Sequence, residues 1–321
     1  METGLKRYFP MIRSRKEVRE EIDSNAILLE RFRNWNTNQQ EEFLDLCTGV
    51  RGAKILYDGF FKEIMNPDTA PERLEEFLSL ILEQNVKILK VLPNDSTRIA
   101  DESSLLIMDI VVELEDGSIA NVEIQRIGYA FPGQRSACYS ADLLLRQYKR
   151  VKGERKELFS YKDIKKVYTV VLFEKSSKCF HRFSNIYLHP FKQESKTGLE
   201  LDLLQEYVFI ALDNFKNIQH NVGIRNKLEA WLTFLSIDAP EDIIRLIEQY
   251  PQYIEMYEEV YTLCLNMEKV MEMFSKELLE LDKNTVQYMI DEMQDELNAQ
   301  KKIIEQQKQE IAELKKQLRK Q

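Results

Sequence analysis

The sequence predicts an α/β protein, and three stretches carry that expectation. The first is Leu105 to Arg126, LLIMDIVVELEDGSIANVEIQR, where two runs rich in Ile, Val and Leu flank the turn signal Glu115-Asp116-Gly117. The second is Val167 to Phe173, VYTVVLF, a continuous apolar run with the length of a buried strand. The third is helical spacing between and after these strands, over Gln134 to Val151 and from about Lys227 almost to the end. Composition agrees: 321 residues, 44% hydrophobic and 31% charged with 10 Gly and 8 Pro, suit a soluble, helix-rich chain able to bury a substantial core.

Taken in order, residues 1–45 are charged and read as a helical arm, helical from about Arg15 to Trp35, with no chemistry of their own. Aromatic and aliphatic residues cluster from Glu41 to Met65, and Asn66-Pro67-Asp68 reads as a turn and helix start. Glu72 to Lys90 has helical spacing, with Leu74, Phe77, Leu78, Ile81, Leu82 and Val86 in one apolar stripe. A short extended piece, Ile88 to Pro93, precedes a polar loop from Asn94 to Ser104. In the hairpin, a left-handed Gly117 sets Leu114 against Ser118 and Asp109 opposite Glu123. Counting by twos then places Asn121, Glu123 and Gln125 on one face and Val122 and Ile124 on the other.

Beyond the hairpin, Ile127 to Gly133 reads as a loop, and Tyr187 to Phe215 as further extended segments including EYVFIALDNF. Helical spacing then fills residues 221–289, punctuated by Asp238-Ala239-Pro240 and Pro251. In residues 290–321, Ile290, Met293, Leu297, Gln300, Ile304, Gln307, Ile311, Leu314 and Leu318 recur at spacings of three and four. That is an a/d seam, which suits a self-associating coiled coil, hence a homo-oligomer; a solvated single helix is the plainer alternative.

The hairpin brings two carboxylates and an amide side by side, a pattern able to hold a divalent metal ion. Asp109 lies inside the apolar run LLIMDIVV, where an unpaired carboxylate would cost on the order of several kcal/mol. The plainer alternative makes Asp109 and Glu123 ordinary acids on a solvent-facing sheet. Asp109 followed across a turn by Glu123-Ile124-Gln125 resembles the D…ExK core of the PD-(D/E)XK nucleases, with Gln125 where lysine usually stands. The likeness is greatest to the transposase-like, recombination-promoting nuclease branch, whose members often show ExQ. It extends through FFKEIMNP (Phe60 to Pro67), ERLEEFLSLIL (Glu72 to Leu82) and PGQRSACYSADLLLRQY (Pro132 to Tyr148), over most of residues 45–290. Met108 replaces the proline of the eponymous motif.

This resemblance implies a mixed sheet flanked by helices over residues 46–220 and a metal-dependent endodeoxyribonuclease acting on DNA. It implies Mg2+ (or Mn2+) held by Asp109, Glu123 and the backbone carbonyl of Ile124. Gln125 cannot act as a general base, so positioning of water or phosphate falls to it. Arg135 and Tyr139, four apart on the next helix, would approach the site and bind substrate, the arginine gripping phosphate; otherwise they are a surface ion pair and a half-buried tyrosine. A different class of function, a weak or inactive scaffold that binds DNA or protein, stays open because the lysine is replaced.

The net charge of −9 gives no global attraction to nucleic acid, but residues 126–182 hold 14 Lys/Arg against 5 Asp/Glu, a local patch able to follow phosphates. Cys47, Cys138, Cys179 and Cys264 form no CxxC pair and read as reduced, mostly buried thiols, with Cys138 a buried small residue. His181, His189 and His220 lack zinc-site spacing, and no phosphate-cradling glycine loop occurs. The N-terminus lacks the apolar core of a signal peptide and no run reaches membrane-spanning length, so a cytoplasmic location is expected.

Overall fold

The structure is a computed structural model that describes residues 4–93, 109–127 and 131–318. The expected polar loop of Asn94 to Ser104, Met108 and part of the loop after the hairpin lie outside the described residues. Helices α1 (Arg15–Ser24) and α2 (Ala26–Asn34) replace the expected continuous helix over Arg15 to Trp35. Asn25 breaks it: its backbone is extended, and its side chain accepts the N–H groups of Ile27 and Leu28 as the cap of α2. Helices α3 (Thr37–Thr48), α4 (Asp58–Ile64) and α5 (Pro71–Leu82) follow. The stripe that suggested a helix as far as Lys90 stops at Glu83, which turns left-handed at φ 52°. Val86, beyond that stop, is still buried.

Strands β1 (Ile88–Val91), β2 (Ile110–Leu114) and β3 (Ile119–Gln125) lead into helix α6 (Pro132–Arg155) and strand β4 (Val167–Phe173). Pro132 opens α6 earlier than expected, its fixed φ suiting the first helical position. A short helix α7 (Lys178–His181) precedes β5 (Leu188–Lys192) and β6 (Gln205–Ala211). The segment EYVFIALDNF is not extended throughout: EYVFIA belongs to β6, and Leu212 already begins α8 (Leu212–Val222). Helices α9 (Lys227–Ser236), α10 (Pro240–Gln249), α11 (Tyr253–Leu263) and α12 (Met267–Leu318) complete the chain, α10 starting at Pro240 and α11 just after Pro251.

Among the described residues, six strands form one mixed sheet in the order β1-β2-β3-β4-β6-β5. The β1–β2, β2–β3 and β5–β6 pairs are antiparallel; β3–β4 and β4–β6 are parallel. The hairpin has the expected register, from Glu113↔Ile119 to Ile110↔Val122. Gly117 sets it, with φ 83° and its N–H on the Leu114 carbonyl at 2.9 Å.

Alternation along the strands divides the core. Val112, Ala120, Val122, Val170, Leu172 and Ile210 face a large helical body, whereas Val111, Ile119 and Val167 face α6 through Tyr139 and Leu143. The N-terminal segment, expected as a peripheral arm or cap, packs into the main body. Leu5, Phe9, Val18, Ile22 and Phe32 are buried in the same core as that sheet face. Among the described residues, no helix is long and apolar enough to cross a membrane.

Candidate active site

The last paired residues of the hairpin are Ile110 and Val122, so Asp109 and Glu123 come next on their two strands. The Ile124 N–H donates to Asp109 Oδ2 at 2.6 Å. A strand residue presents its N–H and C=O to the same side, so the Ile124 carbonyl also faces the strand that carries Asp109. The Gln125 carbonyl faces the other way and accepts the Glu174 N–H at 2.9 Å. A small cleft of about 40 Å³ opens on Asp109 and Ile124, bordered by Asp58, Arg126, Glu277 and Glu280. That is room for an ion or for one or two waters.

Glu123 and Gln125 face α6 on the opposite side of the sheet from Val122, as the period of two requires. Both are nearly inaccessible, at 4% and 6% exposure, and Asn121 beside them is fully buried. Glu123 Oε1, Gln125 Oε1 and the Thr169 hydroxyl find no hydrogen-bond partner among the described residues. Buried polar atoms left unpaired cost about 1–3 kcal/mol each, so a partner for this row would be stabilising. Burial pushes the Glu123 carboxyl above its ordinary range, and the Asp109 charge adds to the effect against the opposing pull of the Asn121 amide and the Arg135 guanidinium. Burial likewise drives Asp109 up to about 7, against Lys62 and the Ile124 N–H, which favour its charge.

The all-oxygen donors fit a hard divalent cation, which would relieve the strain between two buried carboxylates. Among the described residues, no cluster of three or more His, Cys, Asp or Glu side chains forms a fuller cage. Magnesium usually keeps several waters and takes one or two protein carboxylates, so a partial protein shell is enough.

Two residues that pattern reasoning missed complete the setting. Lys62 of α4 places Nζ 3.6 Å from Asp109 Oδ1 and 2.7 Å from Asp58 Oδ1. Its pKa lies above the ordinary value: burial works to lower it, but Asp109 and Asp58 outweigh burial. Arg126, directly after the motif, bonds Glu174 Oε2 at 2.8 Å and Glu277 Oε1 at 3.0 Å and stacks on the Tyr57 ring. The i, i+4 spacing of Asp58 and Lys62 was visible in the sequence, but spacing along a helix does not tell which strand end its face meets.

Arg135 and Tyr139 do share a face of α6, the guanidinium 5.2 Å from the tyrosine ring centre, and Arg135 acts on Glu123 electrostatically. Tyr139 is fully buried among Val111, Ile119, Leu143 and Val167. Cys138 on the same helix is exposed rather than buried, because Ser136, Tyr139, Ser140 and Leu143 take the inward face; Cys179 is exposed as well. The basic stretch is less free than its charge count suggests. Arg146 pairs with Asp142, Arg150 with Glu113, Lys166 with Glu206 and Lys178 with Glu292. Lys149, Lys156, Lys162, Lys165, Lys175 and Arg182 are exposed and make no ion pair among the described residues.

Comparison with curated proteins and with solved structures gives no match. The family profile described as PD-(D/E)XK nuclease family transposase matches residues 56–298, from just before α4 into the long C-terminal helix. That span takes in Lys62, Asp109, Glu123 and Gln125 and covers well over half of the chain, which therefore belongs to the PD-(D/E)XK nuclease family of transposases.

Proposed function

We propose that this protein is a divalent-metal-dependent DNA endonuclease, with Mg2+ or Mn2+ held by Asp109, Glu123 and the Ile124 carbonyl. The observation that carries the reading is the pair of buried carboxylates at the hairpin end, with Glu123 Oε1 unpartnered and a small cleft at Asp109 and Ile124. When bound, the cation neutralises the scissile phosphate and lowers the pKa of an attacking water. The protein's own groups do the rest. Asp109 and Glu123 fix the cation's position against the strand ends, and the Ile124 N–H holds the Asp109 carboxylate in place. Gln125 has no charge and no useful basicity, so its amide oxygen, buried without a partner, orients water by accepting a hydrogen bond. Lys62 supplies the positive charge that Gln125 lacks, from a different element. Arg135, beside Glu123, steadies a phosphate oxygen.

The exposed lysines of residues 149–175 give DNA its electrostatic footing, and the C-terminal seam joins copies of the chain into an oligomer. Gln125 in place of lysine favours a second reading, a weak or inactive scaffold that keeps DNA binding. Supercoiled plasmid incubated with the protein and magnesium separates the two, beside Asp109→Ala and a chelator control. Nicking or linearisation by the wild type alone is expected. Cleavage retained by Asp109→Ala would refute the metal site, and binding without cleavage by the wild type would favour the scaffold.

A further inference from the structure

The sheet face that carries Glu123 continues sideways into an aromatic groove. The lateral pairs Glu123↔Val171, Val171↔Phe209 and Phe209↔His189 set Glu123 and His189 in one row across four strands. At the usual strand spacing they lie about 14 Å apart. The groove holds about 460 Å³, and the first turn of α6, through Pro132 and Gly133, forms its side nearest the candidate site. Its floor is Tyr207 and Phe209, whose rings are within 10° of parallel. Its walls include Phe183 and Phe191, each left 53% exposed.

Three features narrow the chemistry of the occupant. The lining is flat and aromatic, which suits a planar ring rather than a branched aliphatic side chain. His189 stands edge-on to Phe180 and Phe183, at 5.2 and 6.1 Å between ring centres. Burial holds its pKa below the ordinary value, and its bond with the Ile186 backbone engages one ring nitrogen. Nε2 is then an acceptor, buried and without a hydrogen-bond partner. Lys192 lines the mouth, exposed and without an ion pair among the described residues. A planar ring bearing N–H donors and joined to a phosphate meets all three conditions.

We propose that the groove receives an unpaired nucleobase of the strand whose phosphate lies at Glu123. The proposal rests on the nuclease reading for its occupant. A paired base is stacked inside its duplex and cannot enter, so the groove selects single-stranded ends, bulges or extruded bases. His189 Nε2 takes an exocyclic amine of the base, and Lys192 lies by the phosphate beside it.

The test uses the full-length protein with a chelator and no added metal, so that no strand is cut. Single-stranded DNA carrying 2-aminopurine is titrated with wild type, the Phe183→Ala, Phe191→Ala double variant and His189→Phe. The controls are an abasic strand of equal length and a blunt duplex. Both aromatic positions are half-exposed, so the double variant keeps its fold, checked by circular dichroism. Expected are quenching of the probe and an affinity for the base-bearing strand about tenfold above the abasic one, with that preference lost in the double variant. His189→Phe is expected to keep the quenching but weaken discrimination in favour of bases with exocyclic amines. Equal affinity for base-bearing and abasic strands, wild-type behaviour of the double variant, or no binding of any strand would overturn the proposal. Base-dependent binding by a protein that never cleaves plasmid would defeat the nuclease reading and leave the groove standing. Cleavage with base-independent binding would do the reverse.

Discussion

A positive charge beside two carboxylates changes what the second one costs to bury. Lys62 stands 3.6 Å from Asp109, the carboxyl that burial otherwise pushes up to about 7. In the proposed reaction the same ammonium favours the added negative charge on the phosphate, so Lys62→Met should slow plasmid cleavage on the order of 100-fold. Gln125→Lys in that background should restore part of the rate by returning a cation to the motif position. Wild-type rates for Lys62→Met would confine Lys62 to a structural pairing. Asp213 makes a separate case, away from the site. Its carboxylate meets the Ser176 N–H at 2.9 Å, the Asn214 N–H at 3.0 Å and His181 Nε2 at 2.9 Å. Burial opposes its charge, but the His181 and Ser176 donors prevail and hold its pKa below 3.8. A depressed folded pKa stabilises the protein above the unfolded value and loses that contribution as pH falls through the folded one. Asp213→Asn should therefore cost about 1 kcal/mol near neutral pH, part of the usual worth being lost because the carboxylate is 27% exposed. Urea melts should show the gap between wild type and variant closing below about pH 4. A gap independent of pH would assign the cost to packing.

The hairpin was the most legible element, because period two and one turn glycine together leave a single register. The β4 limits were also plain, since a seven-residue apolar run has the length of a strand and flanking residues that break it. Where β6 passes into α8, Ala211 and Leu212 are both buried and no glycine or proline marks the change, so apolar content alone could not show it. Asn25 hid the α1–α2 break for the opposite reason: asparagine both caps helices and occurs within them. Of the candidate site, the neighbouring positions of Asp109, Glu123 and Gln125 could be read because they share one supersecondary unit. Lys62 and Arg126 could not be, because their partners lie 47 and 151 residues away, at Asp109 and Glu277. Arg126 is the clamp between these elements. It ties the end of β3 to Glu174 and to Glu277 of α12, and Glu277 also accepts the Asp58 N–H at 3.0 Å. Arg126→Ala would leave Glu277, with 5% of its side chain exposed, without its cation. A loss of about 3 kcal/mol is expected from chemical denaturation, as for other buried pairs broken on one side. A loss below about 1 kcal/mol would show that the carboxylates relax into water instead.

At the scale of the molecule, α12 runs along 52 residues, about 78 Å of helix, and its two halves differ in burial. Val270, Met271 and Phe274 are fully buried in the helical body, and Glu277 reaches the cleft beside Asp109. Further along, Ile290, Met293, Leu297, Ile304 and Ile311 are between 49% and 54% exposed, all on the a/d seam. A lone helix leaves that apolar stripe in water, whereas in the proposed oligomer a second copy would cover it. Ending the chain at Glu292 keeps the buried turns and the Lys178–Glu292 pair while removing most of the seam. Light scattering should give the full-length chain as a multiple of 38.0 kDa and the truncated one as a single chain. An unchanged mass would remove the oligomer. In the proposed nuclease the cleavage products report on the same link: two sites held in one assembly would cut both strands in one encounter, whereas one site would nick. Truncation should therefore shift plasmid products from linear toward nicked circles at an equal concentration of chains. A lower mass with no change in the ratio of linear to nicked product would mean that the copies associate without sharing a substrate.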